Sequence, residues 1–277
     1  MNIPAFQPAR LPTNETERLA AVRRTGLMGS ANLSRFDIYT RLFRHVAGVP
    51  VAYTGLLDEA RQYFLSENFT GCLTGASEVA RGETLCQHAL LDTAPFVVPD
   101  LRIHPTFAGH PLVRDDPHWV FWAGFPLVTA EGYILGTICA VDFEPRHLSP
   151  EQLELMTGIA ADLTLSIQMQ TDQQERVASD CAAILSGLKA AGLSGIGAAR
   201  GFLDLCRGLP VAAPDRAELL TAGLAEAAPQ GLTLTAAGNA LKSGHGLGPA
   251  EYKTRTSVLR DTQMLDAMFE LLPEAEA

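Results

Sequence analysis

The stretch GETLCQHALLD, residues 82–92, places a thiol at Cys86 two residues before an imidazole at His88. Together they could be metal ligands, a nucleophile with its base, or the lining of an interior. The apolar run around them predicts a helix, and helical residues two apart point about 200° from one another. They therefore cannot share a metal ion or a proton unless the helix ends there. Thr84 is placed as an N-cap, which would set Cys86 in the first turn, where the helix dipole lowers a thiol pKa. Cysteine is also among the most commonly buried residue types with no chemistry attached. Core or pocket lining is the expectation for both residues.

The other chemical candidates are scattered. A metal centre would have to gather His88, His104, His110, His118, Cys86, Asp115 or Asp116, whose spacings match no standard ligand pattern, and RDDPHW reads as an exposed loop. No metal site is expected. The five cysteines (Cys72, Cys86, Cys139, Cys181, Cys206) are odd in number and contain no CxxC pair. Neither a disulfide framework nor a zinc ribbon follows, and a reducing cytoplasm is the expected location. The densest aromatic cluster is Trp119, Phe121, Trp122 and Phe125. In a strand, Phe121, Ala123 and Phe125 share one face, opposite Trp122 and Gly124.

Composition narrows the partners. The chain has 277 residues and a net charge of −10, from 31 acidic and 21 basic residues. A nucleic-acid partner is disfavoured, because such binders carry a clustered basic footprint and only AAVRRTG has adjacent arginines. The start, MNIPAFQPARLPTNETE, lacks the pattern of a signal peptide. No run approaches the ~18 apolar residues of a membrane span.

The elements that must position these side chains alternate between α and β. TNETERLAAVRRTGL reads as a helix capped at Thr13 or Asn14, with Glu17 placed for a capping box. LSRFDIYTRLFRHVAG puts Phe36, Tyr39, Phe43 and Val46 on one helical face and stops at Gly48. VPVAYTGLLD and ARQYFLSEN read as an antiparallel hairpin. APFVVPD is a short strand. VFWAGFPLV and GYILGTICAVDF are two more, joined by TAEG with Gly132 free to take positive φ. Gly136 inside the last strand signals a bulge or the close approach of another group.

The strongest local signal is HLSPEQLELMTGIAADL, with Ser149 as N-cap, Pro150 in the first turn and Gln152 closing a capping box. Its apolar positions Leu153, Met156, Ala160, Leu163 and Ile167 continue in 3-4 steps through Gln170, Gln174, Val177, Cys181, Ile184 and Leu188. Such a repeat is a coiled-coil pattern. Residues 150–167 are expected to pack on the chain's own sheet, and the part beyond Gln170 to meet another helix.

Of the 12 Phe, 5 Tyr and 2 Trp, only Phe202, Tyr252 and Phe269 lie beyond residue 180, in a tail rich in Ala, Leu and Gly. Helices are expected there over about 197–208, 213–228, 231–242 and 250–272. KSGHGLGPAE lacks the GxxxxGK[ST] pattern of a phosphate loop and reads as a linker.

The ordered succession NETERLAAVRRTGL, LLDEARQYFLS, TLCQHALLDTAPFVVPDLRIHPTFAGHPLV and FWAGFPLVTAEGYILGTICAVDFEPRHLSPEQ resembles a GAF domain. The match is to the subgroup found at the N-terminus of bacterial sensor kinases and cyclic-dinucleotide enzymes, and it runs from about Asn14 to Leu165. The resemblance implies an α+β fold: an antiparallel sheet of five or six strands, helices on one face and a ligand pocket on the other. The expected organisation is an arm over 1–13, the GAF-like domain over 14–168, a connecting helix over 169–194 and an all-α Ala/Leu-rich region over 195–277. No kinase phosphoacceptor segment with an ATP-binding glycine box, GGDEF or EAL stretch is visible, so no catalytic output is expected.

Phytochrome relatives hold a bilin through a pocket cysteine near the second-last strand, and the stretch between His88 and Ile138 contains none. Free methionine sulfoxide reductases share the fold, and RGETLCQHA sits where that family has a glycine-flanked cysteine. Its attacking cysteine, expected between Pro95 and Val120, is missing here. Cys72 or Cys139 could substitute only if the fold brought it close.

The leading reading is a cytoplasmic, non-catalytic sensory or regulatory protein. It would bind a small molecule of unidentified class and signal as a homodimer through the helix from Ser149. Expected ligand-binding residues are Cys86, His88, Asp100, Arg102, Phe121, Trp122, Phe125, Thr137 and Cys139. No cofactor is identified, and residues 195–277 could carry a protein partner. The alternatives are a ligand-free scaffold for dimerisation or docking, and a thiol-dependent sulfoxide reductase.

Overall fold

The computed structural model describes residues 6–30, 33–69, 73–193 and 195–247. The chain divides into two compact units, residues 1–176 and 177–277.

The first unit is built on six strands: β1 (Val51–Leu57), β2 (Arg61–Glu67), β3 (Glu78–Ala80), β4 (Phe96–Val98), β5 (Phe121–Val128) and β6 (Ile134–Asp142). They form one sheet in the order β3-β2-β1-β6-β5-β4, and every neighbouring pair is antiparallel. The two central strands, β1 and β6, are buried along their whole length. With both faces covered, they read as continuous apolar runs and not as alternating ones.

One face is covered by three helices: α1 (Glu15–Arg24), α2 (Asp37–Ala47) and the first half of α5 (Pro150–Ala190). Their core joins Phe36 and Phe43 of the α2 segment and Met156, Ala160, Leu163 and Ile167 of α5. From the sheet it takes Ala52, Leu56, Phe121, Phe125, Ile138 and Ala140. The opposite face is covered by two single-turn helices, α3 (Cys86–Ala89) and α4 (Pro111–Arg114), and the loops around them. Its core holds Tyr53, Cys86, Phe107, Trp119, Trp122 and Cys139.

Several local expectations hold. Gly48 ends α2 at φ 67° and Gly132 turns the β5–β6 hairpin at φ 85°. Ser149 N–H donates to Gln152 Oε1 at 3.0 Å and Gln152 N–H donates to Ser149 Oγ at 3.1 Å, a complete capping box. A Cβ on Gly136 would lie 2.0 Å from the carbonyl oxygen of Gly55, so the glycine is there for close strand approach. The cap expected at α1 does not form, since the Asn14 side chain makes no cap bond.

The second unit holds α6 (Ile196–Cys206), α7 (Ala213–Thr221), a hairpin of β7 (Ala225–Ala228) and β8 (Gly231–Leu234), and α8 (Ala236–Gly244). The hairpin corrects the expectation of an all-α tail. Residues 225–234 turn at Pro229-Gln230-Gly231, with Gly231 at φ 128°. Strand pairing and the packing of Leu224, Ala225, Leu232 and Leu234 on Phe202 and Leu219 override the helical propensity of the alanines. The helix expected over 250–272 and Cys72 lie outside the described residues.

Candidate functional site

The site is assembled on the sheet face away from the long helices. Alternation along β1 turns Tyr53 to this face, and alternation along β6 does the same for Cys139, its direct partner in the ladder. On β5, Trp122 points the same way and lays its indole over Gly124, where a Cβ would meet ring carbons at 2.5 Å. Between β3 and β4 the chain returns across this face and sets α3 above the strands. Thr84 Oγ1 accepts from Cys86 N–H at 3.2 Å and fixes the start of that turn.

These elements converge on the Cys86 sulfur. Tyr53 Oη lies 3.3 Å from Cys86 Sγ, Gln62 Nε2–H donates to that sulfur at 3.3 Å, and Cys139 Sγ is 3.4 Å away. Trp122 Nε1–H donates to Tyr53 Oη at 3.1 Å, and Cys139 S–H donates to Thr137 Oγ1 at 3.2 Å. Thr84 O–H donates to Gln62 Oε1, closing the chain of bonds. Cys86 and Cys139 are both fully buried. Burial opposes ionisation of Cys86, yet hydrogen bonds from Cys139, Thr137, Tyr53 and Thr84 outweigh it and hold this thiol below its ordinary value. Burial and the neighbouring Cys86 push Cys139 well above it.

Beside this cluster lies a cavity of about 360 Å³. Its walls are largely aromatic and aliphatic, with Phe64, Phe69 and Trp119 around Tyr53 and with Val79, Leu112 and Phe6 on the other sides, and it is partly open to solvent. Polar groups reach it at Gln62, Thr84, Glu83 and His110. The tautomer of His110 follows from its bonds. Nδ1 accepts from Leu112 N–H at 3.1 Å, so Nε2 carries the proton and donates to the Glu83 carbonyl at 2.9 Å. Phe6, from the N-terminal arm, stands edge-on to His110 at 4.4 Å between ring centroids.

Of the residues expected from the sequence, Cys86, Trp122, Thr137 and Cys139 come together in the buried core behind Tyr53, which is itself a wall of the cavity. His88 points away from them, as helical spacing requires, into a nest of Phe6 and Phe107 rings. Burial drives its pKa down to about 4, and its Nε2 has no hydrogen-bond partner. Asp100 and Arg102 pair with one another on a surface turn, where Asp100 also accepts from the Arg102 backbone N–H. Phe121 and Phe125 face the helices, in the opposite core. None of the nine expected residues lines the cavity itself: Cys86, Trp122, Thr137 and Cys139 lie behind its wall, and Asp100, Arg102, Phe121 and Phe125 lie away from it for two reasons. A two-residue salt link satisfies the first pair locally, and strand alternation sends the second pair through the sheet.

Sequence reasoning passed over Tyr53, Gln62, Phe64, Phe69, Thr84, His110 and Trp119 as a lining set. The available signal was strand parity: residues sharing parity with Tyr53 on β1 face the same side. Among the described residues no group of three or more His, Cys, Asp or Glu side chains is placed to hold a metal ion.

Residues 31–167 match the family model described as GAF domain. These residues are a GAF domain. Over 135 residues the chain is 32% identical to a cyclic di-GMP phosphodiesterase of Pseudomonas aeruginosa, an alignment covering 49% of this chain and 22% of that protein. The chain thus spans about a fifth of that relative's length. The fold is also similar to the GAF-B domain of DevS from Mycobacterium smegmatis, at 19% identity and TM-score 0.40, covering 51% of this chain and 96% of that one. A further similar structure is the GAF domain of a phosphoenolpyruvate-protein phosphotransferase from Coxiella burnetii, at 15% identity and TM-score 0.44, covering 58% and 97%.

Proposed function

We propose that this chain is a sensory or regulatory GAF protein that binds a small, mostly apolar molecule in the cavity beside Tyr53. GAF domains bind small molecules as a class; the reading for this chain is carried by the partly open cavity of about 360 Å³, walled by aromatic side chains with few polar groups. That is the usual character of a small-ligand site. Gln62, Thr84 and His110 supply the polar contacts that would fix the ligand's orientation.

Output would run through α5. The central strands carry Tyr53 and Cys139 toward the cavity and Ala52, Ile138 and Ala140 toward Met156, Ala160 and Leu163 of that helix. A ligand that favours one arrangement of these strands would favour one setting of the helix; one with equal affinity for both would shift nothing. Beyond the sheet, every residue from Gln173 to Ala183 is exposed, and Val177 is 55% exposed although it continues the 3-4 repeat. We take this stretch as the surface that pairs with a second copy, in a cytoplasmic homodimer without catalytic output of its own. Among the described residues no helix is long and apolar enough to cross a membrane.

The test is native mass spectrometry of the gently purified chain, beside a Val79→Phe variant whose new ring fills the cavity. Extra mass that leaves on denaturation, present in the wild type and absent from the variant, supports the reading. A bare dimer in both replaces it with the ligand-free scaffold. Sulfoxide-dependent turnover lost in Cys86→Ser replaces it with the thiol reductase.

A further inference from the structure

We propose that Cys86 and Cys139 form a redox pair that a hydroperoxide entering the cavity converts to a disulfide. The two cysteines are 53 positions apart in sequence, and the fold brings their sulfurs to 3.4 Å. Both are anchored, Cys139 between Tyr53 and Gly124 in the sheet and Cys86 at the Thr84 turn. A disulfide needs a sulfur separation of about 2.05 Å.

Buried thiols are ordinarily inert, because apolar surroundings disfavour the thiolate and exclude reagents. Here the surroundings of the thiol are polar, and a cavity lies close behind them. The Cys86 sulfur faces Tyr53 O–H and Gln62 N–H, polar neighbours that a cysteine serving only as core does not need. Tyr53, Gln62 and Thr84 also line the cavity, so the sulfur lies one side chain from a space that admits a small oxidant. Cys86 is the sulfur that the cavity-lining Tyr53 and Gln62 reach, so Cys86 attacks and Cys139, deeper in the sheet, resolves.

In the first step the Cys86 thiolate attacks the terminal oxygen of the hydroperoxide. The S–O bond forms, the O–O bond breaks, and the departing alkoxide takes up the proton that Cys86 released, leaving as an alcohol (water, when the oxidant is hydrogen peroxide). Cys86 is now a sulfenic acid. In the second step Cys139 attacks the Cys86 sulfur. The S–S bond forms, the S–O bond breaks, and hydroxide leaves with the Cys139 proton as water. Two thiols have lost two electrons and two protons, and the hydroperoxide has been reduced to an alcohol and water.

The pair stands on its own geometry and does not require a signalling ligand, so a bare native mass would leave it intact. The experiment exposes the full-length chain to hydrogen peroxide, blocks free thiols with iodoacetamide in denaturant, and maps the peptides by mass spectrometry. The expected product is a Cys86–Cys139 cross-link lighter by two hydrogen atoms and reversed by dithiothreitol. In Cys139→Ser, dimedone should trap Cys86 as the sulfenic acid. The exposed Cys181 reports that oxidant was active. Oxidation of Cys181 with both Cys86 and Cys139 recovered as alkylated thiols in the wild type would overturn the proposal. So would a disulfide from Cys86 to any other cysteine. Because the wild-type result decides, poor folding of a variant does not protect the idea.

Discussion

The hydroxyl of Tyr53 stands 3.3 Å from the sulfur of Cys86, and the same oxygen accepts from the Trp122 indole at 3.1 Å. One phenol on a central strand thereby ties the aromatic side of the site to the thiol side.

Removing that hydroxyl should therefore have two separable effects. Tyr53→Phe leaves the buried Trp122 N–H without a partner, a loss of about 1–3 kcal/mol, read as a lower urea midpoint. It also withdraws one of the bonds that stabilise the Cys86 thiolate, so the pH at which iodoacetamide begins to alkylate Cys86 should rise. A stability loss with an unchanged alkylation profile would show that the Tyr53–Cys86 contact does not act on the thiol.

The glycines at 124 and 136 face different obstacles. A Cβ at Gly124 meets the Trp122 ring, whereas at Gly136 it meets the backbone of the neighbouring strand at 2.0 Å. Overpacking of a core by a methyl group costs about 1–3 kcal/mol, the range expected for Gly124→Ala as the indole shifts. Gly136→Ala should cost more, because the strand cannot move without breaking the β1–β6 ladder. Thermal melts of the two variants give the order directly, and the reverse order would contradict this account.

Glu15 joins two cationic side chains at the edge of the sheet. Arg18, whose side chain is 1% exposed, donates to Glu15 and to the carbonyls of Leu57 and Ile134; Arg81 donates to Glu15 and to the Asp58 carbonyl. Burial would raise the Glu15 pKa, yet the hydrogen bonds and charges of the two arginines bring it down to about 2 from 4.5. Its folded value is depressed, so its stabilisation is complete above 4.5 and disappears as the pH falls through about 2. Glu15→Gln should lower stability by about 3 kcal/mol at neutral pH, as breaking a buried pair does. The gap to wild type should close in acid. A difference independent of pH would refute the electrostatic origin.

His88 gives the opposite end of the same logic. Its pKa is about 4 in the folded chain against 6.5 for the free side chain. Between those values the unfolded chain binds a proton that the folded chain does not, so stability is full above 6.5 and falls as the pH drops toward 4. His104 and His110 are depressed by burial as well and contribute with the same sign. His88→Phe keeps the ring contacts with Phe6 and Phe107 and should make the fall in urea midpoint over that interval shallower. An unchanged slope would place the titration elsewhere.

Much of the architecture was readable from local pattern. The 3-4 spacing of Met156, Ala160, Leu163 and Ile167 gave the buried stripe of α5, and Ser149 with Gln152 gave its start, because both signals are complete within a few residues. The parity of Phe121, Trp122 and Phe125 separated the two faces of β5. Hairpin 225–234 was not legible, since Ala-Glu-Ala-Ala favours a helix until Leu224 and Leu234 are given a core to enter.

The sequence by itself determined the apolar stripe and the start of α5 and the end of α2 at Gly48, since periodicity, caps and glycines act over a few residues. Only the tertiary structure decided that Cys86 meets Cys139, that Tyr53 and Gln62 face them, and that Phe6 helps enclose the cavity. Those meetings depend on strand register and on the path of the loop between β3 and β4. A side chain's own neighbours in sequence carry no record of what lies across the sheet.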